Sequence, residues 1–124
     1  MIRKEELLES IVNECNIIKR LYSLLPNGAM DYRPTEKQRS TLELLRYMSF
    51  GLVATAHAIY EGDWEWWNAH EKEAQDMLPE TFPQAMDRQI DEFRSLFANI
   101  TDEEFSTKPV TNKTWDTGKS IGYV

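Results

Sequence analysis

Apolar residues recur at three- and four-residue steps along three segments of this chain, and that spacing restricts the fold to helices. The first stripe begins near the N-terminus and ends at the turn sequence Pro26, Asn27 and Gly28, which predicts a helix over residues 3–25. Its members are Leu7, Leu8, Ile11, Val12, Cys15, Ile18, Tyr22 and Leu25.

Two further helices have readable start signals. Ser40 and Glu43 form a capping box, and Gly62 is a C-terminal stop, which predicts a helix over 40–61. Thr81 and Gln84 form a second such pattern, so we expect a helix over 82–100. Its stripe comprises Met86, Ile90, Phe93, Phe97 and Ile100.

A shorter element is expected after these three helices. Thr101 with Glu104 predicts one more helical turn. Because no segment alternates over enough residues for a strand, the sequence predicts a single all-α domain over residues 1–124.

The segment 31–48, with the sequence DYRPTEKQRSTLELLRYM, combines a loop containing Pro34, a Ser-initiated helix and the run Glu-Leu-Leu. It resembles the second helix of DinB/YfiT-like proteins, four-helix bundles that include metal-dependent enzymes and thiol S-transferases. Residues 96–124 are similar to the connection that leads into the fourth helix of that family. The resemblance implies a DinB-like up-down helical bundle whose fourth helix is largely absent from this chain and starts near 117–124.

The resemblance also bears on metal binding. In metal-binding members, the position that Tyr47 occupies here is a histidine ligand, and an H-x-x-x-H pair in the fourth helix completes the site. A neutral phenol is a poor donor to zinc or nickel, and no such pair is present before Val124. We therefore expect no metal site, no cofactor and no catalytic residue, and a non-catalytic binding or structural protein. The alternative is a metal-dependent thiol S-transferase that binds zinc or nickel and whose remaining ligands lie in the missing fourth helix.

The two histidines do not suggest a replacement site, because they lack metal-ligand spacing. His57 lies about 120° around the helix from Leu45 at 100° per residue, so we expect it to point away from the core. His70, near Glu73 and Asp76, is expected on the outside of a short helix, with Asn68 as a candidate cap.

Aromatic residues supply the remaining candidate pocket. Tyr47 is predicted at the edge of the second helix, mainly as a packing residue, with Glu43 as a possible partner for its hydroxyl. Trp64, Trp66 and Trp67 cannot all face one core, so we expect a lid over one end of the bundle or a dimer contact. An aromatic wall for a small ligand is the alternative for these indoles.

Charge and cysteine content limit the partners. The net charge of −7 opposes binding to nucleic acid and to anionic membranes. The N-terminal sequence MIRKEELLES has no apolar signal-peptide core, so we expect a cytoplasmic protein. Cys15 is the only cysteine, which excludes an internal disulfide and indicates a buried structural thiol.

Three apolar helix faces exceed what three helices can hide from one another. A bundle without its fourth helix leaves a groove, and a second copy is a common partner for such a face. We therefore expect a homo-oligomer, formed through a groove beside Leu45, Leu52, Met86 and Phe93.

Overall fold

The computed structural model describes residues 3–107, in which the chain forms five α-helices and no strand, so the all-α prediction is confirmed. The helices are α1 (Lys4–Ser23), α2 (Thr41–Glu61), α3 (Glu65–Gln75), α4 (Phe82–Asn99) and α5 (Asp102–Thr107). Single 3-10 turns occupy Ala29–Asp31 and Pro79–Thr81. The predicted start of a further helix near 117–124 lies outside the described residues.

The ends of α2 form as local chemistry predicts. The Ser40 Oγ accepts a hydrogen bond from the Glu43 backbone N–H at 3.2 Å, and the Glu43 carboxylate accepts one from the Ser40 N–H at 3.5 Å. Gly62 ends the helix at φ +82°, a left-handed conformation that favours glycine. Both predicted boundaries of this helix are confirmed.

The helix-start patterns predicted at Thr81 and at Thr101 have different outcomes. The capping box predicted at Thr81 is wrong, because the Thr81 Oγ1 donates to the Leu78 carbonyl at 2.8 Å inside the preceding 3-10 turn. At Thr101 the box is present: the Glu104 N–H donates to Thr101 Oγ1, and the Thr101 N–H donates to Glu104 Oε1. The predicted short helical turn is therefore α5.

Consecutive helices α1 to α4 alternate in direction, because the short α3 returns the chain along the side of α2. Helices α2 and α4 consequently run parallel, and α1 runs antiparallel to α4. Two hydrogen bonds join α1 to α4. Lys19 Nζ donates to Asp87 Oδ1 at 2.5 Å, and Lys4 Nζ donates to the Ile100 carbonyl oxygen at 2.7 Å. Both α1 and α2 pack on α4, around a core whose most deeply buried large side chains are Phe82, Met86, Val53 and Cys15.

A buried glutamine joins α4 to the backbone of α2. Gln89 is 3% exposed, and its Nε2 donates to the Met48 carbonyl at 2.7 Å. Its Oε1 accepts a hydrogen bond from the Val53 N–H at 3.0 Å. A polar side chain inside the apolar face of α4 is therefore satisfied by backbone groups of α2, as a buried amide must be.

Candidate binding sites on the two sides of helix α2

An apolar groove of about 540 Å³ lies between α1 and α2, with α4 as its floor and α5 at one end. Phe93, Leu96 and Phe97 form the floor. The predicted groove is therefore present beside Leu52 and Phe93, which line it, whereas Leu45 and Met86 are buried in the core elsewhere. We call this feature the α1–α2 groove.

The α1 wall of the groove belongs to a regular stripe. Leu7, Ile11 and Glu14 line the groove, and the same alternation of four- and three-residue steps continues to Ile18 and Leu21. Such a spacing places side chains on one seam of a helix, as in coiled coils. Leu21 is 58% exposed, so the apolar seam of α1 continues past the part of the helix that packs on the core.

The α2 wall is shallow because small residues form its centre. Gly51, Thr55 and Ala56 line it between the two bulky ends. At one end the Tyr47 ring closes over Gly51, where an added Cβ would lie 3.2 Å from the ring. At the other end the Tyr60 hydroxyl donates to Glu104 Oε2 at 3.0 Å, and burial raises the pKa of that phenol above its ordinary value.

Tyr47 therefore faces the groove. Its ring lies 5.8 Å from Trp67 and 4.4 Å from the Arg39 guanidinium carbon, which is a cation–π contact. The partner predicted for it is wrong, because Glu43 bonds to Ser40 and to the Arg33 guanidinium. The Ser40 hydrogen bond, with the Arg33 charge, lowers the pKa of the Glu43 carboxyl below its ordinary value.

Cys15 contributes a buried thiol to the groove wall, as predicted for a structural cysteine. Burial, with a smaller contribution from the charge of Glu14, raises the pKa of this thiol. The fraction present as reactive thiolate at neutral pH is correspondingly small.

A second cavity of about 510 Å³ lies on the opposite side of α2, enclosed by α2, α3 and α4. We call it the α3 pocket. Its deep surface is formed by Phe50, Val53, Met77 and Ala85. Polar and charged side chains join the lining, namely Ser49, His70, Glu73, Asp76, Thr81, Arg88, Gln89 and Glu92.

Three aromatic rings stack beside this pocket, and two of them, those of Trp66 and His70, line it. The Trp66 ring is nearly parallel to the His57 ring, with the centroids 4.7 Å apart, and to the His70 ring, with the centroids 3.8 Å apart. His57 also contacts two carboxylates, through Nδ1 to Glu61 at 2.7 Å and Nε2 to Glu92 at 2.9 Å. The predicted outward orientation of His57 is wrong: the residue is 6% exposed, because α3 and α4 cover α2 on more sides than one apolar stripe indicates.

Of the residues predicted for one aromatic pocket, Tyr47 lines the α1–α2 groove and Trp66 lines the α3 pocket, whereas Glu43, Trp64 and Trp67 line neither cavity. Trp67 packs on Phe50 at 4.8 Å and contacts Trp64 edge-on, while Trp66 alone joins the α3 pocket. Trp66 and Trp67 thus lie along the side of α2. Helix α3 begins at Glu65, where the Asp63 carboxylate accepts the Glu65 N–H, so the predicted cap at Asn68 is also wrong.

Sequence reasoning missed Gln89 and Glu92, which tie α4 to α2. A signal was present for Gln89, since it lies between Met86 and Phe93 on an otherwise apolar stripe. No comparable signal marked Glu92, whose neighbours Asp91 and Arg94 are also polar and exposed.

Within residues 3–107, no group of three or more histidine, cysteine, aspartate or glutamate side chains has an arrangement that could hold a metal ion. Over the same residues, no helix combines the length and apolarity needed to cross a membrane. No protein-family model matches the sequence, and comparisons with curated proteins and with solved structures find no significant match.

Proposed function

We propose that this chain is a DinB-like bundle protein without the family metal site, and that it acts as a non-catalytic binding protein through the α1–α2 groove. The observation that supports this proposal is the apolar groove that the described residues form, whose floor consists of Phe93, Leu96 and Phe97. Apolar cavities of about 540 Å³ between helices are usual places for a ligand or a partner segment, because burial of apolar surface there is favourable.

The shape of the groove suits a helix. Helix-in-groove recognition uses apolar anchors that recur at three- and four-residue steps. The α1 seam provides that spacing on one wall, and the small side chains of Thr55 and Ala56 line the other wall. A fourth helix at this place would complete a bundle around the α4 floor.

A second copy of the chain is the occupant that we propose. Helix α1 carries Ile17 and Leu21 at 49% and 58% exposure, and Leu24, which caps its C-terminus, is 70% exposed. This segment therefore offers an apolar ridge as well as a groove wall. In a two-fold dimer each α1 would enter the groove of its partner, and the same surface would serve both copies. The net charge of −7 opposes association only over about 8 Å at physiological salt.

The experiment is sedimentation velocity of the full chain across a dilution series. We expect a concentration-dependent dimer in the wild type. Leu21→Glu should shift the midpoint to higher concentration by at least about tenfold, because it places a charge in the apolar contact. Leu44→Glu is the matched control, since Leu44 is 44% exposed and does not line the groove.

Glu14 provides a test in the opposite direction. It is the one carboxylate on the α1 seam, so Glu14→Leu should strengthen association by extending the apolar contact. A wild-type chain that stays monomeric at high micromolar concentration would overturn the proposal. So would equal effects of the Leu21 and Leu44 variants.

A further inference from the structure

The α3 pocket carries an inference that is independent of the groove. We propose that it binds a small organic ammonium ion with an apolar body of about the size of a phenyl ring. Its volume of about 510 Å³ lies within the usual range for small-molecule sites, about 300–1,000 Å³.

Charge favours a cation at the rim of this pocket. Its lining contains the carboxylates of Glu73, Asp76 and Glu92 but only one guanidinium, that of Arg88. Glu73 and Asp76 form no ion pair with any of the described residues. Of the three, only Glu92 already has a partner, through His57. Clefts lined with one sign of charge concentrate ligands of the opposite sign.

His70, which lines the pocket, adds a hydrogen-bond acceptor. Its Nδ1 lies 2.8 Å from the Trp66 carbonyl oxygen, which can only accept, so Nδ1 carries the hydrogen. In the neutral ring Nε2 is then an acceptor, and an ammonium N–H can donate to it. Stacking on Trp66 fixes the plane of this imidazole.

The deep surface of the pocket accounts for the apolar part of the ligand. Phe50, Val53, Met77 and Ala85 offer hydrocarbon contact without a hydrogen-bonding side chain. The Trp66 indole already stacks on two imidazoles, those of His57 and His70. We therefore assign the apolar contact to the deep surface and the ammonium to the rim.

The experiment compares three probes of equal size by NMR titration of the full chain: phenethylamine, phenethyl alcohol and phenylacetate. We expect saturable binding of phenethylamine, with shifts at residues that line the α3 pocket. The neutral alcohol should bind more weakly, and phenylacetate should bind most weakly. Raising the salt concentration should weaken only the binding of the amine, because it screens the rim carboxylates.

Rim variants locate the charge contribution. Glu73→Gln and Asp76→Asn should each weaken phenethylamine binding about two- to fivefold, the range for exposed ion pairs. Arg88→Gln should strengthen it by a similar factor. Glu9→Gln, on the exposed face of α1, is the matched control and should change nothing.

Two outcomes would overturn the assignment: phenylacetate binding as well as the amine, or no saturable amine binding up to about 10 mM, the weak end of the affinity range for small ligands. Unchanged affinity in both the Glu73 and Asp76 variants would also contradict it. Leu21→Glu should leave amine binding intact, so failure of the dimer proposal is distinguishable from failure here.

Discussion

Removing the Gln89 side chain should destabilise the fold more than any exposed change on the same helix. Gln89→Ala deletes the hydrogen bonds to the Met48 carbonyl and from the Val53 N–H, at 2.7 and 3.0 Å. Each bond contributes about 1 kcal/mol, and the cavity left by this buried side chain costs about 1 kcal/mol more. We expect the free energy of unfolding to fall by about 2–4 kcal/mol.

The assay is urea unfolding followed by circular dichroism, with thermal melts as a second measurement. A loss of that size lowers the melting temperature by about 10–25 °C in a domain of this length. Gln84→Ala is the matched control, because Gln84 is exposed on α4 and should change stability by less than about 0.5 kcal/mol.

Gln89→Leu separates the polar contribution from packing. Leucine restores most of the volume but none of the hydrogen bonds, so it should remain destabilised by at least about 1 kcal/mol. If Gln89→Leu were as stable as the wild type, the hydrogen bonds to α2 would not be what stabilises this contact.

Three further predictions concern single groups. The pKa of the Glu43 carboxyl is lowered in the folded state, so its contribution to stability is present above the ordinary carboxyl range and is lost as pH falls through the lowered pKa. Glu43→Gln should therefore make the free energy of unfolding depend less on pH on the acid side. An unchanged acid slope would contradict this. Since burial raises the pKa of Cys15, a disulfide reagent should modify the folded chain at least about tenfold more slowly than the urea-unfolded chain, and equal rates would contradict the burial. Elemental analysis of protein purified without chelator should find far less than one equivalent of zinc, nickel or iron. One equivalent that is lost in Tyr47→Phe would instead support the metal-dependent alternative.

Local sequence chemistry determined where the helices begin and end. Ser40 with Glu43 begins α2 and Gly62 ends it, because capping and left-handed backbone conformations depend on only a few neighbouring residues. Thr101 with Glu104 begins α5 for the same reason. At Thr81 the same pattern gave a wrong prediction, since a preceding 3-10 turn used the hydroxyl.

The tertiary structure decided which faces of the helices meet. His57 became a buried residue because Trp66 and Glu92 reach it from α3 and α4, and no periodicity within α2 could report those neighbours. Tyr47 and Trp66, which sequence reasoning placed in one pocket, lie in cavities on opposite sides of α2. Helix formation depends on residues within one or two turns, whereas the composition of a cavity depends on contacts between segments that are distant in sequence.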